Sequence, residues 1–204
     1  MLAKGSSRRL ANKNRRDFAG VPMFLHNLQK MVHLGLDPIL DSDDDEILDL
    51  AASVGATPHR RNSDLEGPDV PTLPIVRSNF EAFGIQEPTC AVIVQANSPN
   101  LRMETIRQAV QMITRCDLHE VMSANPDKSH NGSVWAVSHE RLMDYGDYYV
   151  HRTDALVVDD SVDIHLPEDL AGAEALHTST DRRTWFDVKA PPASISQAYE
   201  PDQS

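Results

Sequence analysis

The chain has 204 residues, 40% of them hydrophobic and 25% charged, with a formal net charge of −12 at pH 7. This length suits one sizeable α/β domain and leaves little room for a second. So acidic a chain repels nucleic acid and anionic membranes in general. No apolar run reaches the length of a membrane span, and Met1-Leu2-Ala3 cannot act as the apolar part of a signal peptide. Cys90 and Cys116 have no metal-ligand spacing and form no disulfide framework, which fits a reducing cytoplasm.

The amino-terminal segment runs against this balance. Residues 1–16 hold six Lys or Arg and no acid, so residues 17–204 carry −18 (−12 minus +6). Within Ala3-Lys-Gly-Ser-Ser-Arg-Arg-Leu-Ala-Asn-Lys-Asn14 the small residues Gly5, Ser6 and Ser7 let backbone N–H groups approach an anion. Lys4, Arg8 and Lys13 add cations around the same point. That is equipment for holding a polyphosphate. The alternative is a solvated or RNA-binding basic arm, but such arms are usually longer and lack Gly-Ser turn chemistry.

Apolar spacing predicts a helix over 21–34, with Leu25, Leu28, Met31 and Val32 on one face and Gly35 ending it. A short strand follows at 38–41. Ser42-Asp43-Asp44-Asp45-Glu46 then marks a helix start, with Ser42 or Asp43 as cap, running to Gly55. Asp41 or Asp43, at the strand's end, could instead face a ligand. Residues 57–70 have loop composition. Residues 71–83 read as a helix with Pro71 and Pro74 in its first turns. Ala91-Val-Ile-Val-Gln95 is a continuous apolar strand of the kind buried in a parallel sheet. A helix at 103–115, strands at 119–124, 133–137 and 155–159, and a helix from Pro167 to about residue 177 complete the pattern.

This alternation predicts a mainly parallel sheet with helices on both faces, a three-layer Rossmann-like architecture. One domain occupies residues 1–178. Residues 179–204 form a polar, partly disordered tail, in which Trp185 and Phe186 could dock on the domain or on a partner chain. In such folds ligands bind beyond the carboxyl ends of the strands.

Four motifs fall at those ends: the basic loop, Gln95-Ala-Asn-Ser-Pro99, Asn131-Gly132-Ser133 and Asp160-Ser-Val-Asp-Ile-His165. Together, over roughly residues 1–177, they resemble the acylneuraminate (CMP-sialic acid) cytidylyltransferases, with the 3-deoxy-manno-octulosonate cytidylyltransferases as cousins. The resemblance implies a nucleotidyltransferase fold and an enzyme that activates a 2-keto sugar acid with CTP. It implies that Lys4, Gly5, Ser6, Ser7, Arg8, Lys13 and Asn14 wrap the triphosphate, and that Arg61 lies on the cytosine side with Asp69 downstream. Gln95, Asn97, Ser98, Asn131 and Gly132 fall on the sugar side. Asp163 and His165 match the metal positions, for Mg²⁺ or, given the imidazole, Mn²⁺. Lys13, Arg8 and Asp163 are the implied catalytic groups.

The chain departs from the pattern in several places. Family members begin with a full strand before the loop, whereas three residues precede Lys4 here. The expectation is a start inside the natural reading frame or an unusually short strand. Ala11 and Asn62 stand where prolines are usual. The arginine that pairs with a substrate carboxylate is absent, with Ser129 near its place. The segment that exchanges between subunits in some relatives is shortened, which leaves a homodimer open. The rival readings are a binding protein of the same fold that has lost its chemistry and a nucleotidyltransferase for another sugar.

Overall fold

The computed structural model describes residues 1–5, 7, 10–67, 69–87, 89–145, 152–178 and 189. A 3₁₀ turn (Lys13–Arg15) precedes a two-residue hairpin, β1 (Asp17–Phe18) and β2 (Val21–Pro22). In chain order there follow α1 (Met23–His33), β3 (Ile39–Ser42), α2 (Asp45–Ser53), β4 (Thr57–Arg60), a second 3₁₀ turn (Ser63–Leu65), α3 (Thr72–Ala82), β5 (Cys90–Val94) and α4 (Met103–Cys116). The chain then forms β6 (Glu120–Ala124), β7 (His130–Ser138), α5 (His139–Asp144), β8 (Ala155–Val158) and α6 (Pro167–His177).

The main sheet has the order β5-β7-β6-β8. It is mixed rather than mainly parallel: β7 runs antiparallel to both β5 and β6, while β6 and β8 are parallel. The turn at Asn125–Ser129 explains the difference, because its backbone bonds fold β7 directly back along β6 with no crossover helix. β3 and β4 form a separate parallel pair. Residues 1–3 continue that layer, with Leu2 bridging Asp41 in parallel. Ala3 N–H donates to the Asp41 carbonyl and Asp41 N–H to the Met1 carbonyl, each at 3.0 Å. Residues 1–3 thus pair alongside β3 directly ahead of the basic loop.

The two faces of the sheet bury different clusters, as period-two side chains require. One joins Phe24, Leu25 and Leu28 of α1, Ile47 and Leu50 of α2, and Ile106 and Ala109 of α4 to Val94, Val121, Val134, Ala136 and Val157, with Met1 and Ala3. The other packs α3 and α5 through Leu73, Val76, Phe80 and Leu142 onto Ala91, Ile93, Met122, Trp135 and Val137, with Leu2 alongside. A third cluster of Leu10, Phe18, Met23, Ile164 and Ala173 holds the basic loop, the hairpin and α6 together.

Two local expectations are corrected. The cap of α2 is Asp44, whose Oδ1 accepts from Glu46 and Ile47 N–H; Ser42 and Asp43 do not fill that role. Residues 57–60 are strand rather than loop. Thr57-Pro-His-Arg60 has no apolar alternation because β4 is a largely exposed edge, where Pro58 is tolerated. Most of the expected tail, including Trp185 and Phe186, lies outside the described residues. Lys189 is described: its backbone N–H and carbonyl bond the Gln29 side chain at 3.0 and 2.7 Å. No helix among the described residues is long and apolar enough to cross a membrane.

His26 sits inside the third cluster's wall, stacked edge-on against Phe18 and His177 with ring centroids 5.1 and 5.6 Å away. Its Nε2 bonds the Phe18 carbonyl at 2.7 Å. Burial, and then the nearby Lys30 ammonium, lower its pKa to about 3. The unfolded chain therefore binds a proton near pH 6.5 that the folded chain refuses until about pH 3. Stability contributed by neutral His26 is present above the unfolded value and is lost as pH falls between the two. Unfolding free energy should drop toward acid with a His26 contribution of up to about 1.4 kcal/mol per pH unit. Urea melts between pH 7.5 and 4 should show a shallower slope for His26→Gln than for the wild type.

Candidate active site

The basic loop is built by contacts to the body of the protein. Asn14 is buried and donates through Nδ2 to the Lys4 carbonyl at 2.8 Å, closing the loop on itself. Asn12 takes a left-handed conformation (φ 51°) at the start of the 3₁₀ turn, a geometry Asn tolerates. Arg15 reaches Glu46 and Asp44 at the start of α2, and Leu10 is buried in the third cluster. Gly5 has a different reason from anion approach. Its N–H donates to Asp43 Oδ1 at 2.7 Å, and a Cβ there would stand 2.5 Å from Asp44 Oδ2. The acids of Ser42-Asp-Asp-Asp-Glu46 thus dock the loop as well as start a helix.

Beyond the strand ends lies a cleft of about 730 Å³ whose walls include Lys4, Ser7, Lys13 and Asn14 from this loop. Arg61, Glu66, Asp69 and Val70 follow β4 and form the facing bank, with Thr72 and Ile75 of α3. Gln95, Ala96 and Asn97 follow β5, and His165 follows β8. Leu2 and Ile93 give it an apolar patch. Lys4 Nζ reaches across to the Gly67 carbonyl at 2.9 Å.

Arg61 enters the wall from below. Its side chain is fully buried, its Nε donates to Asp41 Oδ1 at 2.5 Å and its Nη2 to the Asp41 carbonyl at 3.1 Å. Its Nη1 is buried and finds no hydrogen-bond partner among the described residues. Asp41 Oδ2 in turn accepts from His59 Nδ1 at 3.1 Å. So Asp41 faces a residue of its own chain, and Asp43 serves Gly5.

The sugar-side segment rests on α1. Asn27 Nδ2 holds the Gln95 and Ser98 carbonyls at 2.9 and 2.8 Å. The buried Lys30 ammonium binds Asn27 Oδ1 and the carbonyls of Pro99 and Leu101. Asn97 is buried and its amide donates to Asp163 and to the Ile164 carbonyl. Asp163 also accepts from His165 Nε2 at 2.8 Å. Asp169 accepts the His165 and Leu166 N–H groups, which hold its carboxyl below the usual range. Asp159, fully buried, ties this segment to α4 through Thr105 Oγ1 and Arg102 N–H.

The sequence-predicted residues divide accordingly. Lys4, Ser7, Lys13, Asn14, Arg61, Gln95, Asn97 and His165 share the cleft, and Asp163 stands beside it through Asn97 and His165. Ser98 is fully buried and bonds Ser133 Oγ at 3.1 Å. Asn131 braces Ser123 and the Asp159 carbonyl. Gly132 supplies a positive φ of 67° at the start of β7. These three are scaffold and do not line the cleft. Ser6 and Arg8 lie outside the described residues. Sequence reasoning missed the Asp41 partnership and the Asn27–Lys30 support. The second had a signal, since two polar side chains three apart in a helix of large apolar residues face the same way.

The sequence profile of the cytidylyltransferases matches residues 1–152. The chain belongs to the cytidylyltransferase family. It is 28% identical over 116 residues to a pseudaminic acid cytidylyltransferase of Campylobacter jejuni, a match covering 53% of this chain and 49% of that protein. The chain thus spans about half the length of that curated relative. It is 24% identical to a CMP-N,N'-diacetyllegionaminic acid synthase of Legionella pneumophila, over 85% of this chain and 93% of that one. Its fold is similar to that of a CMP:2-keto-3-deoxy-manno-octonic acid synthetase complexed with CTP, with a TM-score of 0.68 and 15% identity over 86% of this chain and 95% of the other. That likeness is one of fold.

The docking of Gly5 is testable. Moving Asp44 to admit a methyl group disturbs the α2 cap and its Arg15 contact, so Gly5→Ala should destabilise the fold by about 1–3 kcal/mol. Thermal melts of the two proteins check this.

Proposed function

We propose that this member of the family transfers the cytidylyl group of CTP to a 2-keto sugar acid of the N-acylneuraminate kind, giving a CMP-sugar and pyrophosphate. The observation that carries the reading is the meeting of Lys4, Ser7, Lys13 and Asn14 with Arg61, Gln95, Asn97 and His165 around one cleft. CTP brings about four negative charges, which need several cations and backbone donors to replace water. Amides suit a ligand with many hydroxyls, because each unmatched polar group costs affinity.

In this reading the anomeric hydroxyl attacks the α-phosphorus in line, the new O–P bond forms, and the bond to pyrophosphate breaks. Lys4 and Lys13, with Arg8 implied by the family pattern, neutralise the leaving group. Arg61 Nη1 donates to the cytosine ring. The hydroxyl's proton leaves to solvent, and no side chain is assigned as its base.

The residues beside the cleft fit a divalent cation. Asp163 is partly exposed and faces a His165 proton, which a metal ion can replace. No group of three or more His, Cys, Asp or Glu side chains gathers among the described residues. Asp163, with His165 beside it, would hold Mg²⁺ or Mn²⁺. When bound, such an ion lowers the pKa of the attacking hydroxyl and offsets phosphate charge. Cysteines free of disulfides fit a cytoplasmic setting, where CTP is made, and exposed apolar side chains such as Met143 and Leu156 are compatible with a homodimer.

Pyrophosphate release across four nucleoside triphosphates and a panel of sugar acids, with Mg²⁺ and Mn²⁺ compared, tests the assignment. Release with CTP and a 2-keto sugar acid is expected; none with any acceptor and metal would overturn it. Lys13→Ala should lower turnover at least ~100-fold, as loss of one transition-state charge contact typically does, and near-normal turnover would contradict the role of Lys13.

A further inference from the structure

Resting on the reading of Arg61 as the cytosine-side donor, we infer that Asp41 is the residue that makes this site read a neutral base instead of one more phosphate. Two of the Arg61 donor groups are held by one residue, through its carboxylate and its backbone. Asp41 takes the Nε hydrogen on its carboxylate and an Nη2 hydrogen on its carbonyl. Both residues are almost wholly buried, at 2% and 1% relative exposure. A cation and a carboxylate in contact with water excluded form a pair with no net charge, so the long-range pull on a polyanion largely cancels.

What remains is direction. The carboxylate fixes the guanidinium plane, and Nη1 is left as a buried donor with no partner among the described residues, in a residue that lines the cleft. Native proteins rarely leave such donors unpaired, because each costs the group its hydration. A neutral pair with an unfilled N–H edge suits a neutral acceptor. Cytosine offers two adjacent acceptors, O2 and N3. Uracil presents an N3–H donor at the second place, which would meet the Nη1 hydrogens head-on. The phosphates are left to Lys4 and Lys13, which the amino-terminal loop brings to the cleft from the other bank.

Two further groups face the pair. His59 Nδ1 bonds the second Asp41 oxygen at 3.1 Å from a partly exposed position. The Met1 amino group donates to the Ile39 carbonyl, and burial pushes it down to about 6, so above neutral pH it adds no full charge. Asp41 acts through Arg61 and is therefore a positioning residue.

Calorimetric binding of CTP, UTP and inorganic tripolyphosphate to the full chain tests this at pH 7.5. The wild type should prefer CTP to UTP. In Asp41→Asn that preference should fall at least ~10-fold, since a site built around a specific hydrogen bond loses discrimination when the donor is misaimed. Tripolyphosphate should bind several-fold tighter, with steeper salt dependence, because Arg61 regains its charge. A fold merely loosened by the substitution would weaken both ligands. Asp41→Asn combined with Arg61→Gln removes both charges and keeps a polar side chain at each position, so it serves if the single variant is unstable. It should hold tripolyphosphate as the wild type does and lose the preference for CTP. An unchanged CTP-to-UTP ratio in both variants, or tripolyphosphate weakened in the double variant, would overturn the inference while leaving CTP binding intact. Failure of the wild type to bind CTP at all would overturn the reading of the site and this inference with it.

Discussion

The contact between the cationic amino-terminal loop and the acidic start of α2 is the interaction on which the site depends. Six cations in sixteen residues would repel one another and stay solvated without it. Asp43 takes the Gly5 N–H, while Asp44 and Glu46 take Arg15. Lys4 and Lys13 are thereby left at the cleft instead of on the outer surface. The same acids start a helix, so one short run, Asp43 to Glu46, both begins an element and holds the loop that follows the first strand. The need for glycine at position 5 arises from this closeness.

The other side of the cleft has its own scaffold, and it lies in α1. Nine consecutive residues of that helix, Met23 to Met31, are buried, so it behaves as an interior helix and not as an amphipathic cover. Its polar members are not misplaced. Asn27 and Lys30 turn toward the carbonyls of the segment after β5, groups that a tight turn would otherwise leave unpaired. Asp159 does the corresponding work after β8. The residues that line the cleft are therefore positioned from beneath by buried, satisfied polar groups.

Much of this was legible in the sequence, for identifiable reasons. Helices announced themselves through spacing, capping acids and terminal glycines, as at α1, α2 and α6. The continuous apolar run of β5 was plain too, but its partner's direction was not, because antiparallel pairing of β7 depends on a turn at 125–129 with ordinary composition. β4 was invisible, since an exposed edge strand has no alternation to detect. At the site, the cluster of cations could be read from local composition. The partnership of Asp41 with Arg61 could not, because it joins residues twenty apart that β-pairing brings side by side. Ser98 and Asn131 carry the right chemistry for sugar hydroxyls, but their side chains bond Ser133, Ser123 and the Asp159 carbonyl instead.

One feature of the cleft bears on how any anion enters it. The Lys4 ammonium already bridges the two banks through the Gly67 carbonyl, so an anion entering there would meet a tethered cation and not a loose one. The measured affinity is then a difference between two bonded states. Any ligand that draws Lys4 to itself would take that tie from Gly67, so holding the guest and loosening the opposite rim would be thermodynamically linked.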